Sequence, residues 1–150
     1  MGTIRSIEKI MRLWSQLKQH QLSIISLLVA LTALGYNTWR NELTEQNRNV
    51  RRAGFEMLVH VAELQKITFL AHYDQDKVGG NPRKGWTEVL ALKELEMLMP
   101  EDSQLRINQL ENAWSANWAK LGESDASAEA VDTAIDDLRG DIRVILQDLD

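Results

Sequence analysis

The feature that most constrains this chain is a long run of uncharged side chains near its amino terminus. Residues 21–39 contain no Asp, Glu, Lys or Arg, and their apolar body includes Leu22, Ile25, Leu28, Leu31 and Leu34. At about 1.5 Å of rise per helical residue, this stretch spans roughly 28 Å, which matches the hydrocarbon core of a bilayer. The sequence therefore predicts a transmembrane signal-anchor helix over residues 21–39.

Aromatic and basic residues flank the uncharged stretch. Tyr36 and Trp39 stand at one end, and Trp14 and Lys18 precede the other. Amphipathic rings and long cationic side chains are typical of the headgroup layers on both sides of a membrane span. We therefore expect these four residues to lie at the two membrane interfaces.

Two other interpretations of the stretch stay open. It could be the core helix of a soluble domain, although a chain of 150 residues has little core with which to surround it. It could also be a cleavable signal peptide, since Ala33 and Gly35 place small residues before a cut at Tyr36. The patterned region before the stretch is longer than a usual signal n-region, so an uncleaved anchor is preferred.

That preceding region has a helical pattern of its own. Apolar residues recur at steps of three and four with charged residues between them, namely Ile4, Ile7, Ile10, Met11, Trp14 and Leu17. The pattern predicts a basic amphipathic juxtamembrane helix over residues 1–20, lying in the headgroup layer. The alternatives are that it packs on a partner subunit or extends the anchor helix.

Charge is distributed unevenly along the chain. Residues 1–19 carry four basic side chains and one acidic, whereas residues 40–150 carry 13 basic and 21 acidic. An acidic body would repel a phosphate backbone, so we expect no nucleic-acid partner.

Basic residues are equally frequent on the two sides of the span, which leaves the positive-inside rule near a tie. We expect the amino terminus in the cytoplasm and the carboxyl-terminal domain in the periplasm.

The rest of the chain predicts an all-α fold, because helix-forming residues dominate and β-branched alternation is nowhere sustained. We expect a polar helical stalk over residues 40–54 and an acidic helical bundle domain over residues 55–150.

The first long helix should run to about Tyr73. It carries an apolar stripe of Leu43, Val50, Met57, Val61, Leu64 and Thr68, and a second of Phe55, Leu58, Ala62, Phe69 and Leu70. Two stripes predict burial on both sides of the helix.

Three shorter helices complete the predicted antiparallel bundle. The second should start near Lys84 or Trp86, end at Met99, and occupy the centre because it is apolar on most sides. The third should be capped by Ser103 and end before Gly122. The fourth has a regular seam of Val131, Ile135, Leu138, Ile142, Ile145 and Leu149. That 4-3-4-3-4 spacing favours packing against other helices of the same bundle over an intermolecular zipper.

Motifs that carry chemistry are weak in this sequence. The chain has no cysteine, and serine-hydrolase, phosphate-loop and zinc-protease patterns do not occur. Glu56, His60 and Glu63 share one helical face, but the second such set that a bundle metal site needs is missing. Asp74 to Gly85 resembles a calcium loop without two of its key ligands and predicts a turn. We expect no enzyme activity, no metal and no cofactor.

The candidate partner-binding residues are two tryptophans and three residues of the stalk. Trp114 and Trp118 lie one turn apart in the third helix, and exposed rings at that spacing would anchor an interface. The alternative is that both rings belong to the core of the bundle. Asn47, Arg48 and Arg51 would offer a polar face on the stalk.

These observations favour a non-catalytic accessory or structural subunit of a bacterial inner-membrane assembly. Its expected partners are the lipid bilayer, other membrane or periplasmic proteins, and further copies of the chain. The alternative is a membrane-tethered sensory or small-ligand-binding bundle, which would need a route for its output beyond the single span. An enzyme with a carboxylate site ranks third.

Overall fold

The computed structural model describes residues 20–149, apart from the side chain of Asp102. Within this range the chain is helical without strands and forms α1 (Gln21–His72), α2 (Pro82–Leu95), α3 (Glu101–Asn117) and α4 (Asp125–Asp148). The predicted all-α fold, a long first helix followed by a shorter bundle, is confirmed. The amphipathic helix predicted over residues 1–20, with Trp14 and Lys18, lies outside the described residues except for His20.

The chain divides into two compact units, Met1–Glu45 and Gln46–Asp150. The described part of the first unit is helical, and all of its side chains are exposed. The second unit is the bundle. Val50, Ala53 and Gly54 are buried in it, so the carboxyl half of the segment predicted as a stalk takes part in packing.

Apolar faces of all four helices build the core of the bundle. The seam predicted for α4 is present: Val131, Ile135, Leu138 and Ile142 are fully buried, and Ile145 and Leu149 pack on its edge. Helix α3 contributes Ile107, Leu110 and Trp114, and α1 contributes Met57, Val61, Leu64 and their neighbours. Periodicity alone therefore identified the packed face of the last helix.

Helix α2 differs from its prediction in start and in position. It begins at Pro82, because the Asn81 side chain accepts a hydrogen bond from the Arg83 amide at 3.1 Å and proline suits the first helical position. It buries Gly85, Val89 and Leu92, while Leu90 is 57% exposed. The prediction of a central α2 is therefore wrong. The helix ends at Leu95 and continues as a short 3-10 turn before Pro100.

Helix α3 begins at Glu101, immediately after Pro100, and Ser103 is not its cap. The Ser103 amide donates to the Pro100 carbonyl at 3.0 Å, which places this residue inside the first turn. Its side chain is buried. The α-helix ends at Asn117 and is followed by a 3-10 turn, Trp118–Lys120.

The second apolar stripe predicted to be buried on α1 faces outward instead. Phe55 and Phe69 are 59% and 51% exposed, Ala62 is also exposed, and Leu58 and Leu70 are half-buried. Helix α1 therefore buries one side, and the prediction of burial on both sides is wrong.

Polar contacts fix the carboxyl end of α1 to the turn before α4. His72 Nδ1 lies 3.0 Å from the Leu121 carbonyl oxygen, and its Nε2 lies 3.2 Å from an Asp125 carboxylate oxygen. Gln75, in the left-handed region at φ 52°, donates from Nε2 to the carbonyls of His72 at 2.7 Å and Gly122 at 2.9 Å. These bonds hold the end of the bundle where its loops meet.

Candidate membrane segment and interaction surfaces

The uncharged stretch lies within α1 and is surrounded by no other part of the described chain. Helix α1 is long and apolar enough to cross a membrane, and 0% of its most apolar 18-residue window is buried. Leu22 is 82% exposed and Leu34 is 65% exposed, with Ile25, Leu28 and Leu31 at comparable levels. The buried side of α1 begins only at Val50. The apolar side chains of the stretch are therefore exposed, unlike those on the buried side of α1.

Two threonines of the stretch form hydrogen bonds within their own helix. The Thr32 hydroxyl donates to the Leu28 carbonyl at 2.8 Å, and Thr38 donates to Leu34 at 3.0 Å. Both hydroxyls are thereby satisfied inside their own helix, as polar groups in lipid must be. Tyr36 and Trp39 are exposed, with ring centroids 6.1 Å apart. They form an aromatic pair at the end of the stretch.

The three candidate binding residues of the stalk have different surroundings. Asn47 and Arg48 are exposed on α1. The Arg51 guanidinium donates to the Leu149 carbonyl at 3.2 Å, which ties the end of α4 to α1. Arg51 therefore contributes to the packing of the bundle, whereas Asn47 and Arg48 present their side chains outward.

The two candidate tryptophans have separate roles. Trp114 is 0% exposed and is the largest fully buried side chain of the core, packed beside Gly85 and Leu64. A ring at that position cannot anchor a partner on the surface, so the core alternative holds for Trp114. Trp118 is half-buried, packs against the core, and reaches the surface of a cleft.

That cleft lies where the loop between α1 and α2 meets the turn before α4. It has a volume of about 280 Å³ and is lined by Trp118, Ala71, Gly80, Gly122 and charged loop residues. Gly80 is required here because a Cβ atom would overlap the backbone of Ala71. The walls are therefore formed by closely packed backbone and one ring, and the cleft is open to solvent.

His60 and Glu63, which share one helical face, each contact a different residue. His60 Nδ1 lies 2.8 Å from a Glu88 carboxylate oxygen of α2, and Glu63 accepts from Lys66 at 3.3 Å. Among the described side chains, no group of three His, Cys, Asp or Glu could hold a metal ion. The His60–Glu88 contact joins α1 to α2, whereas the Glu63–Lys66 contact lies within α1.

The loop that resembles a calcium site is a turn closed by Asp76. Its carboxylate accepts from the amides of Val78 at 2.8 Å and Gly79 at 3.0 Å. These backbone bonds, the one from Gly79 first, lower the pKa of Asp76 below its usual 3.8. The side chain is thus occupied by its own loop.

An exposed apolar surface on α1 was not predicted as a site. We call it the outward stripe, and it consists of Phe55, Val59, Ala62, Phe69 and Tyr73, with Lys66 among them. The rings of Phe69 and Tyr73 are in contact, tilted by 37° with a centroid distance of 5.2 Å. The Tyr73 amide still donates to the Phe69 carbonyl at 2.9 Å, so helical geometry continues through the stripe. Large exposed side chains on one helix face are typical of an interaction surface.

Comparisons with known protein families, curated proteins and solved structures found no match to this chain.

Proposed function

We propose that this chain is a single-pass membrane protein whose bundle acts, without catalysis, as an accessory or structural subunit of a protein assembly in a bacterial inner membrane. The observation that carries the proposal is the exposure of the apolar segment, of which 0% of the central window is buried. Each large apolar side chain gains about 1.5–3 kcal/mol on leaving water. Lipid would remove every face of the segment from water at once.

In this proposal the amino terminus lies in the cytoplasm and the bundle in the periplasm. The partners of the bundle are other membrane or periplasmic proteins, or further copies of the chain. Two surfaces support such contacts: the polar face that carries Asn47 and Arg48, and the outward stripe. The stripe includes Tyr73, and tyrosine is among the residue types that dominate interface energetics.

The test is an alkaline carbonate wash of cell membranes that contain the full chain. Leu28→Arg places a charge within the span and should cost about 3 kcal/mol of insertion, because a cation at the bilayer centre is strongly disfavoured. Its matched control is Leu105→Arg in α3, since Leu28 and Leu105 are 58% and 61% exposed.

The wild type and Leu105→Arg should stay in the membrane pellet, whereas Leu28→Arg should shift toward the supernatant. Recovery of the intact wild-type chain, still beginning at Met1, in the supernatant would overturn the proposal.

The sensory alternative depends on the cleft beside Trp118. Ligand pockets usually enclose about 300–1,000 Å³ and bury most of their ligand. The cleft lies at the lower end of that range and opens to solvent, so it would leave much of a ligand exposed. The accessory role is therefore the better supported of the two.

A further inference from the structure

We propose that the outward stripe is a self-association surface, through which two copies of this chain pair as a short parallel coiled coil of their α1 helices. The proposal rests on the proposed membrane anchoring, which would give both copies the same direction across the bilayer. It names a second copy of the chain as the partner of the bundle.

The residues of the stripe have the spacing of a coiled-coil seam. Its members follow each other at steps of four and three residues, which is the a/d repeat of a coiled coil: Phe55, Val59, Ala62, Lys66, Phe69 and Tyr73. The buried face of α1, which includes Met57, Val61 and Leu64, lies on the opposite side of the helix. The stripe is thus a second seam that the bundle itself leaves without a partner.

The stripe also carries a depression. It has a volume of about 500 Å³ and is lined by Arg52, Phe55, Glu56, Val59 and His60, all on α1. The first four stand at positions i, i+3, i+4 and i+7, which is how four residues of one helix form the hole for a knob of the facing helix. In a parallel pair the knob that enters this hole is Phe55 of the second copy.

The charges that flank the seam favour the parallel arrangement. The acidic residues that flank the seam, Glu56 and Glu63, are on one side of it, while the flanking positions on the other side are uncharged at Leu58 and Gln65. A parallel pair brings one side against the other, so Glu63 faces Leu58 of the second copy. An antiparallel pair that overlaps the whole stripe brings Glu63 against itself, and like charges repel.

Lys66 is the polar member of the seam. Its Nζ lies 3.3 Å from a Glu63 carboxylate oxygen of the same helix, so each copy brings a neutralising partner with it. A single polar residue in a seam lowers its stability but fixes register and copy number. Lys66 therefore aligns the two copies.

The exposed area indicates how strong the pairing is. Because a buried aromatic side chain removes about 150–250 Å² from water, the exposed parts of the stripe amount to on the order of 400 Å² per copy. Two copies would bury roughly 800 Å², which is less than a standard interface. The pairing is therefore weak in free solution and depends on the high local concentration that a shared membrane provides.

Disulfide crosslinking of single-cysteine variants tests the pairing, because the chain contains no cysteine of its own. Val59→Cys places a thiol on the stripe, and Val144→Cys on α4 is the matched control, since the two valines are 62% and 55% exposed. The full chain is expressed in membranes, and permeable vesicles are treated with a copper phenanthroline oxidant at falling protein-to-lipid ratios.

Val59→Cys should give on the order of tenfold more dimer than Val144→Cys, because docked thiols have a high effective concentration. Phe55→Cys should crosslink with itself, and mixed membranes of Phe55→Cys and Tyr73→Cys should give little of the mixed product. Equal crosslinking at positions 59 and 144 would overturn the proposal, as would dominant 55-to-73 product or crosslinks to a different protein.

The carbonate wash and the crosslinking comparison together distinguish failure of the pairing from failure of the membrane anchor. Vesicles that retain the chain through the carbonate wash, yet crosslink equally at positions 59 and 144, would refute the pairing alone. Release by the wash would refute the anchor, and with it the pairing, because the pairing depends on both copies sharing one membrane.

Discussion

Gly85 in α2 provides a sharp test of how tightly the bundle is packed. A methyl group at this position would overlap the outer ring atoms of Trp114 and would lie 3.0 Å from a Leu64 methyl carbon. Trp114 and Leu64 are both 0% exposed, so neither side chain can move into solvent to make room. We therefore expect Gly85→Ala to destabilise the bundle, even though alanine favours a helix.

Two opposing effects set the size of the change. Alanine is more favourable than glycine in a helix interior by about 1 kcal/mol. Overfilling a packed core costs about 1–3 kcal/mol, and overlap with a rigid ring places this case in the upper part of that range. The expected net loss in the free energy of unfolding is therefore about 1–2 kcal/mol.

Gly140 in α4 is the matched control. It is exposed, and a Cβ atom there would have nothing within 4 Å. Gly140→Ala should therefore keep the helix-propensity gain of about 1 kcal/mol without a steric cost. For a bundle of this size, 1 kcal/mol corresponds to roughly 4–8 °C in Tm. The two substitutions should shift Tm in opposite directions.

The assay is thermal unfolding of the full chain in detergent micelles, followed by circular dichroism and tryptophan fluorescence. Gly85→Ala should unfold below the wild type and Gly140→Ala above it. If Gly85→Ala were as stable as the wild type or more so, the close packing of α2 on the Trp114 ring would be refuted.

Three further predictions concern the bundle. Trp114→Ala should lower the free energy of unfolding by about 3–5 kcal/mol, measured by denaturant titration, because it empties a fully buried site. Burial first, and then the charge of Asp136, raise the pKa of Asp132, so its stabilising contribution is present below the usual 3.8 and is lost as pH rises. Asp132→Asn should therefore raise Tm at neutral pH, and a pH series should show that gain disappearing in acid. The Asp76 pKa is lowered, so Asp76→Ala should have the opposite pattern, with a loss at neutral pH that vanishes in acid.

Apolar periodicity predicted the helices but not the partners of their faces. The α4 seam through Val131 and Ile142 was correctly assigned to the core, because other helices of the bundle cover it. The same pattern on α1 at Phe55 and Phe69 was assigned to the core and is exposed. Spacing identifies an apolar face, whereas the number of helices available to cover it is a property of the tertiary structure.

The starts of α2 and α3 were predicted wrongly because the residues at these positions are compatible with more than one local structure. Asn81 and Pro82 were assigned to a loop, yet an asparagine cap followed by proline at the first helical position also starts a helix. Ser103 was chosen as a cap because of its hydroxyl, but the cap of α3 is Pro100, three residues earlier. The backbone restriction of proline outweighed the side-chain preference of serine.

Of the candidate functional residues, some could be identified from the sequence and others could not. Residues 21–39 could be singled out from sequence because missing charge over that length is a strong signal. The different burial of Trp114 and Trp118 could not be predicted, since the two residues are one helical turn apart in the same apolar pattern, yet the first is fully buried and the second half-buried.

Lipid contact along residues 21–39 of the intact chain is the central claim, and cysteine reactivity measures it most directly. A thiol must ionise to react with maleimide, and it cannot do so in hydrocarbon. In untreated membranes, Leu28→Cys should remain unlabelled by N-ethylmaleimide until detergent is added, whereas the exposed Asn47→Cys should be labelled at once. Equal labelling at the two positions without detergent, in a chain that still begins at Met1, would contradict the account.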